Sequence, residues 1–281
     1  MPRKPPVTII GPGRLGTALT LALHNAGYGI DQIVTRTASS RARVLGHRVR
    51  AKVTSSPSKE SSGGVVWICV PDTAIHDLAH QLAAKGDWSG KHVFHSSGAL
   101  PSTELMELKK RGAHIASVHP MMSFVHGAAP SLNGVSFAIE GDPSAVRMAK
   151  KIVKDLGGVP IGISARNKPL YHAFGAFASP MLISVLAIAE HVGQAAGLSR
   201  AAARKAMLPI VVETIRNYEN NGAAGAFSGP IIRGDAGTVR KNLASLKSLP
   251  EARRAYVALA HAALRYLPAA NRKKLQRVLK N

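Results

Sequence analysis

The chain of 281 residues carries 37 Lys and Arg against 15 Asp and Glu, which gives a formal net charge of +22, and 46% of its residues are hydrophobic. This composition excludes an intrinsically disordered chain and is sufficient for one large core or two moderate ones. The chain has one cysteine, so no internal disulfide can form. Because the first residues also lack an apolar leader segment, the sequence predicts a cytoplasmic protein.

Residues 7–16 combine an apolar strand with a spaced set of glycines. Val7–Ile10 is long enough for one buried strand, and an apolar segment with helical spacing follows the glycines. This strand–turn–helix context is that of the dinucleotide-binding fingerprint, in which the glycines allow a tight turn, a close approach of pyrophosphate and close helix packing. We therefore expect a bound dinucleotide at Gly11, Gly13, Arg14, Leu15 and Gly16. The alternative is a glycine-rich turn that binds nothing.

The second predicted strand, residues 30–37, indicates which dinucleotide is bound. An NAD-selective site usually has Asp or Glu about 20 residues beyond the glycines. Arg36 holds that place here, and Thr37 follows it. A guanidinium pairs well with a 2′-phosphate, so we expect Arg36 and Thr37 to bind NADP in preference to NAD. The alternative is that Arg36 only contributes to a basic surface.

Strands and helices alternate up to about residue 164, which predicts a mostly parallel, doubly wound Rossmann sheet. Ligands of such sheets bind at the carboxyl ends of the strands. The strand at 65–70 ends in Val70-Pro71, whose backbone we expect to contact the cofactor.

Two later strand ends carry candidate polar groups. The strand at 92–95 leads into Ser96-Ser97-Gly98, where two hydroxyls and a glycine amide could hold an anion. We assign Ser96 to the cofactor and Ser97 to the substrate, with an ordinary turn as the alternative. The strand at 115–118 leads into His119, which is a candidate for lining the same pocket.

Beyond Ser164 the pattern becomes helical, so we expect a dinucleotide-binding domain at 1–164 and an all-α domain at 165–281. Lys168 and His172 are four residues apart at the start of this region and would share one face of a helix. An imidazole titrates near neutral pH, which suits proton exchange. The alternative is a solvated lysine and a packing histidine.

The apolar stretch 173–189 contains Pro180 and is followed by Glu190-His191, which favours a buried helix of a bundle over a membrane span. Lys and Arg concentrate in residues 36–59 and 240–280, but aromatic residues make up only 5% of the chain and no recognition motif for DNA or RNA is present. We expect neither a membrane nor a specific nucleic-acid partner. The sequence shows no cluster with metal-ligand spacing, so no metal is expected. The glycines lack the Lys-Ser/Thr ending of a phosphate-hydrolysing loop.

Several short motifs occur in an order that resembles a family of NADP-dependent oxidoreductases, in which a Rossmann-like domain precedes a helical domain of unknown function. The motifs are Gly11-Pro12-Gly13-Arg14-Leu15-Gly16, Val70-Pro71-Asp72, His95-Ser96-Ser97-Gly98, His119-Pro120-Met121, Lys168 with Tyr171-His172-Ala173, and Gly229-Pro230 with Arg233-Gly234-Asp235 and Thr238. The architecture also resembles the β-hydroxyacid dehydrogenases, pyrroline-5-carboxylate reductase and ketopantoate reductase, with a helical domain of the 6-phosphogluconate-dehydrogenase type.

This resemblance implies hydride transfer between NADP and a C=O or C=N carbon of a small, anionic substrate. It implies that Lys168 and His172 are the polar pair facing the nicotinamide, with Ser97 and His119 beside them, and that the helical domain forms a homodimer. Two positions depart from the family pattern: Pro180 follows Ser179 where Asn is typical, and Asn242 stands where His is frequent. A non-catalytic NADP-binding sensor or scaffold is the alternative function.

Overall fold

In the part of the chain that the structure describes, eight strands form a single sheet. The computed structural model describes residues 4–37, 39–56, 64–125 and 130–280. The strands occur in the order β3-β2-β1-β4-β5-β6-β7-β8, and every neighbouring pair is parallel except β6 and β7. Their bounds are β1 Val7–Ile10, β2 Ile30–Val34, β3 Lys52–Thr54, β4 Val65–Ile68, β5 His92–His95, β6 His114–Pro120, β7 Ser136–Gly141 and β8 Val159–Gly162. The predicted Rossmann class is therefore confirmed.

Helices alternate with these strands and cover both faces of the sheet, as parallel sheets require. The two central strands, β1 and β4, are wholly buried, and each is an unbroken apolar or β-branched run. Trp67 of β4 packs edge-on against Phe94 of β5. The helices of this part are α1 Arg14–Asn25, α2 Ser40–Val49, α3 Ile75–Ala83, α4 Met106–Lys110, α5 Pro143–Asp155 and α6 Lys168–Ala178.

One expected strand end lies elsewhere. The strand predicted at 115–118 is longer in the structure, because β6 runs to Pro120 and pairs with the antiparallel β7. His119 therefore lies inside β6, opposite Ala138, and not in the loop after the strand. The register of β6 with β5 pairs Ser117 with His95, which brings His119 to the level of the segment that follows β5.

The chain divides into two compact units, Met1–Ala176 and Phe177–Asn281. The last strand, β8, ends at Gly162, and most of α6 belongs to the first unit. The reason is Lys168, the first residue of α6, whose side chain is completely buried among residues of the sheet.

The second unit consists of helices with a small apolar core. Its helices are α7 Pro180–Ala195, α8 Arg200–Ala226, α9 Ala236–Ser245, α10 Pro250–Tyr266 and α11 Arg272–Lys280. Ser199 caps α8, since its hydroxyl accepts from the Ala202 amide at 3.2 Å. Val239, Leu264 and Leu275 lie in a core formed by α9, α10 and α11.

The expectation of a buried helix at 173–189 is wrong for the single chain. Glu190 is the buried residue of α7, while Ile183 is 62% exposed, and Ile210 on α8 is 67% exposed. The segment Ala165–Ala195, with a mean hydropathy of 1.7, is long and apolar enough to cross a membrane on length and composition alone. Pro180 interrupts that segment, because α6 ends at Ala178 and α7 begins at Pro180.

Candidate active site

The turn between β1 and α1 has the backbone that the fingerprint predicts. Gly11 adopts a φ of +93°, and a Cβ there would lie 2.8 Å from the Cys69 carbonyl oxygen. A Cβ at Gly16 would lie only 2.1 Å from the Gly11 carbonyl oxygen, so the close approach of helix and turn requires glycine. By contrast, a Cβ at Gly13 would meet no atom within 4 Å. The space over Gly13 is open, which is the arrangement that a pyrophosphate needs at a helix N-terminus.

Gly13 is also the N-cap of α1, and no side chain caps that helix. The first amides of α1 therefore keep hydrogen-bonding capacity for an anion. Arg14 is exposed beside Gly13, while Leu15 is half-buried and packs against the core of the sheet. Of the two, Arg14 is thus the side chain available to a ligand.

Arg36 and Thr37 lie exposed just beyond the end of β2. This end is adjacent to the glycine turn, because the Gly11 amide donates to the Val34 carbonyl at 2.9 Å. Ser39 begins α2 by accepting from the Ala42 amide. The structure therefore brings Arg36 and Thr37 to the same sheet edge as the glycine turn, with the Arg36 guanidinium exposed.

Val70 and Pro71 follow β4 at the same edge. The Val70 side chain reaches the turn, since a Cβ on Gly11 would lie 3.0 Å from Val70 Cγ1. Pro71 is exposed and precedes a short 3-10 turn that begins at Asp72. Both residues lie where sequence reasoning places a cofactor contact.

The hydroxyls of Ser96 and Ser97, which we expected to hold ligands, are both used inside the protein. Ser96 Oγ accepts from Trp67 Nε1 at 2.8 Å and is buried. Ser97 Oγ donates to Asp72 Oδ2 at 2.7 Å and accepts from the amides of Ala99 and Leu100. These serines therefore shape the loop after β5, and the Ser97 hydroxyl, whose proton goes to Asp72, has no donor left for an anion.

Lys168 is the most unusual side chain of this region because it is charged and has no exposed surface. Its Nζ donates to the Ser97 carbonyl at 2.9 Å and to Ser117 Oγ at 2.6 Å. Burial lowers the pKa of Lys168 to about 8, against the opposing effect of Glu140 and Asp72. The amine is thus turned into the protein.

Two histidines converge on Gly98. A Cβ at Gly98 would lie 2.8 Å from His119 Nε2 and 2.9 Å from His172 Cδ2, so both rings rest directly on this glycine. His172 is exposed, whereas His119 is partly buried. The prediction that His119 and His172 belong to one cluster is thus supported by their geometry.

Tyr171 completes this cluster and was not among the expected site residues. Its hydroxyl lies 3.2 Å from His119 Nδ1, and the two rings meet edge to face with centroids 5.6 Å apart. Burial raises the pKa of Tyr171 to about 12, so the phenol keeps its proton at neutral pH. When the phenol donates to Nδ1, the neutral imidazole carries its own proton on Nε2, the atom nearest to Gly98.

Burial, Lys168 and His172 together lower the pKa of His119 to about 4. His119 is therefore neutral over the physiological range. A neutral imidazole can donate a hydrogen bond to a polarised oxygen or nitrogen without carrying a charge into the site.

Two further residues were not expected from the sequence: Ser117, which bonds to Lys168, and Asp72, which bonds to Ser97. Their partners are distant in the chain, so no local pattern indicates these contacts.

Two family models match the chain. Residues 2–120 match a Rossmann-like domain, and residues 135–263 match DUF2520, a domain of unknown function. No curated protein matches the sequence.

Solved structures share the fold over almost the whole chain. BF3122 from Bacteroides fragilis, a proposed NADP oxidoreductase, is 23% identical with a TM-score of 0.74, over 92% of this chain and 98% of that one. A reductive aminase from Aspergillus terreus, in complex with NADPH and ethyl-5-oxohexanoate, is 17% identical with a TM-score of 0.63 and coverages of 98% and 99%. A pyrroline-5-carboxylate reductase from Coxiella burnetii is 14% identical with a TM-score of 0.60 and coverages of 92% and 98%.

At these identities the likenesses establish the common fold. The two family models account for its two parts in the order that the motifs indicated. The chain therefore contains a Rossmann-like domain followed by a DUF2520 domain.

Proposed function

We propose that this protein is an NADP-dependent oxidoreductase that transfers a hydride between the nicotinamide and a C=O or C=N carbon of a small molecule. The observation that carries the proposal is the open space over Gly13, at a turn where Gly11 and Gly16 are sterically required. A turn that bound nothing would have no need to leave that space empty beside an uncapped helix. The NADPH complex of the fungal reductive aminase, which shares the fold, supports the same conclusion.

NADP is favoured over NAD by the exposed Arg36 at the end of β2. Its guanidinium suits a 2′-phosphate, and Thr37 adds a hydroxyl beside it. When bound, the nicotinamide supplies or accepts the hydride. The chain must then orient the other reactant, exclude water and handle a proton.

The cluster of His119, Tyr171 and His172 is suited to these tasks. His119 Nε2 and the His172 ring both lie against Gly98, and the absence of a side chain there leaves room for them. The Tyr171 hydroxyl holds Nδ1 of His119, which fixes the orientation of the ring. His172 is exposed to solvent, whereas His119 is oriented to donate a hydrogen bond.

The expected anionic group of the substrate loses the support of Ser97, because the hydroxyl of that residue gives its proton to Asp72. We therefore propose a small carbonyl or imine compound without requiring an anion. Relatives of the same fold include an imine reductase from Aspergillus terreus and the pyrroline-5-carboxylate reductase from Coxiella burnetii, and both names refer to C=N compounds.

Turnover tests the proposal. The protein is incubated with NADPH deuterated at C4 and with a panel of small ketones, aldehydes, cyclic imines and ketone–amine pairs. We expect deuterium on the reduced carbon of at least one product by mass spectrometry, and a strong loss of that transfer in His119→Gln and His172→Gln. Tight NADPH binding without transfer to any compound would instead support a sensor or scaffold.

We also propose a cytoplasmic homodimer formed through α7 and α8. Support comes from the apolar residues that these helices leave exposed, which include Met181, Ile183, Ile210, Val212 and Ile215. An apolar surface of this extent is usually covered by a partner. Light scattering should give twice the chain mass, and Ile210→Asp should give monomers, whereas the control Val44→Asp on α2 should not. Monomers of the wild type, or its flotation with lipid vesicles, would contradict the dimer.

A further inference from the structure

Lys168 has no surface through which to meet a small molecule. The residue is fully buried, and Nζ donates hydrogen bonds to two protein groups, the Ser97 carbonyl and Ser117 Oγ. A group that gives a proton to a substrate must come within hydrogen-bond reach of it. Lys168 meets this requirement only if the loop after β5 moves away.

That loop is held on every side. The Ser97 carbonyl accepts hydrogen bonds from Lys168 and from Ser117. The Ser97 hydroxyl donates to Asp72, and the Ser97 amide donates to His95 Nδ1 at 3.1 Å. The next residue is Gly98, on which the His119 and His172 rings rest. The Lys168 ammonium therefore holds Ser97, and the residue bonded to Ser97 is Gly98, which both imidazole rings contact.

The charge of Lys168 also acts on His119. The groups that act on this imidazole are Tyr171, His172 and Lys168 from α6 and His95 from β5, while Glu140 from β7 and Asp72 after β4 act on Lys168. The two carboxylates favour the charged form of the lysine, and after burial the lysine is the largest influence that disfavours the charged form of His119. Two positive charges in this poorly solvated cluster would repel each other.

We propose that Lys168 is a positioning residue that acts through the Ser97–Gly98 loop and keeps His119 uncharged, and that it gives no proton to the substrate. The inference rests on the proposed function for its meaning in catalysis. Its physical content, the coupling of Lys168 to His119, can be measured in the protein without any substrate.

The first test is a histidine titration by NMR, with the His119 signal assigned by its loss in His119→Gln. In the wild type the ring should stay neutral down to about pH 4. In Lys168→Met the midpoint should rise by about one pH unit or more, since a neighbouring charge of the same sign has been removed.

Two controls separate charge from structure. Lys168→Arg keeps the charge, and Ser117→Ala removes one hydrogen bond of Nζ while it leaves the charge in place. Both should keep the low midpoint of His119. An unchanged midpoint in a folded Lys168→Met protein, or an equal rise in Ser117→Ala, would overturn the proposal.

A second test uses the unaltered protein and holds even if Lys168→Met does not fold. Brief acetylation under native conditions is read out lysine by lysine by mass spectrometry. Lys168 should be modified at least about tenfold more slowly than the exposed Lys150 and Lys154. Modification at the same rate would show that Lys168 reaches solvent and would overturn the inference. Because neither test needs turnover, their failure is distinguishable from failure of the proposed reaction.

Discussion

His119 and Tyr171 are 52 residues apart in sequence, yet the imidazole Nδ1 and the phenol oxygen lie 3.2 Å apart. This hydrogen bond joins a strand to a helix, because His119 lies in β6 and Tyr171 lies in α6. The contact exists because α6 begins with a lysine that is anchored in the sheet. Its second turn therefore lies over the end of β6.

Removal of the Tyr171 hydroxyl should disturb the site more than the fold. In Tyr171→Phe we expect turnover to fall by about tenfold and the free energy of unfolding to fall by about 1 kcal/mol, the usual contribution of one hydrogen bond. Steady-state kinetics and urea unfolding measure the two effects. The control is Tyr218→Phe, whose ring is exposed and whose substitution should change neither quantity. Equal activity of Tyr171→Phe and wild type would rule out a role for the hydroxyl.

Gly98→Ala places a methyl group against both imidazoles. The Cβ would lie under 3.0 Å from His119 Nε2 and from His172 Cδ2, so at least one ring must move. We expect turnover to fall by about 100-fold, as misplacement near a reacting centre commonly causes, while NADPH affinity stays close to that of wild type. Gly162→Ala is the control, since a Cβ there meets nothing within 4 Å. Full activity of Gly98→Ala would show that the histidine positions do not matter.

Gly13→Ala and Gly16→Ala should fail in different ways. At Gly16 the added Cβ would lie 2.1 Å from a backbone oxygen, so we expect lost stability of a few kcal/mol. At Gly13 it meets no protein atom, so stability should be unchanged while NADPH affinity falls by about tenfold or more, because the methyl group occupies the path of the pyrophosphate. Thermal unfolding and fluorescence titration with NADPH distinguish these outcomes. Unimpaired binding by Gly13→Ala would contradict the fingerprint assignment.

The buried His95 predicts a loss of stability in acid. Its Nε2 hydrogen-bonds the Pro101 carbonyl and its Nδ1 accepts from the Ser97 amide, and burial is the main reason that its pKa falls from 6.5 to about 4. The unfolded chain therefore binds this proton more readily than the folded one. The stabilisation is complete above about pH 6.5 and is lost as the pH falls from there to about 4.

Urea unfolding at pH 7, 5.5 and 4.5 measures this effect. For His95 alone the lost stability should be on the order of 3 kcal/mol, since each pKa unit corresponds to about 1.4 kcal/mol. His95→Asn should flatten the pH dependence, whereas the exposed control His47→Asn should leave it as in wild type. A wild-type stability that is constant between pH 7 and 4.5 would contradict the buried, neutral state of His95.

Local sequence patterns were sufficient for the sheet and for the glycine turn. The runs Val7–Ile10 and Val65–Ile68 are apolar throughout, and the turn glycines follow the first of them at fixed spacing. Such signals depend on neighbours in sequence, which is why they translate directly into structure.

The site was harder to predict because its bonds are long-range. The sequence Ser96-Ser97 predicts an anion-binding loop. In the structure the Ser96 hydroxyl bonds to Trp67 and the Ser97 hydroxyl bonds to Asp72. The sequence around Lys168 is compatible with a solvated residue at the start of a helix. No nearby residue indicates that its side chain is buried and bonded to Ser117, which is 51 residues away. The apolar pattern of α7 likewise does not show whether its side chains pack against other residues of the same chain, and in the single chain most of them do not.

The most direct test of the central claim is calorimetric titration of the wild type and of Arg36→Glu with NADPH and with NADH. We predict that NADPH binds the wild type more tightly than NADH, and that Arg36→Glu weakens NADPH at least about tenfold more than NADH, because a charge-assisted contact to the 2′-phosphate becomes repulsive. Equal effects on both dinucleotides would remove Arg36 as the selectivity residue. No heat with either dinucleotide would contradict the account of this protein as a pyridine-dinucleotide enzyme.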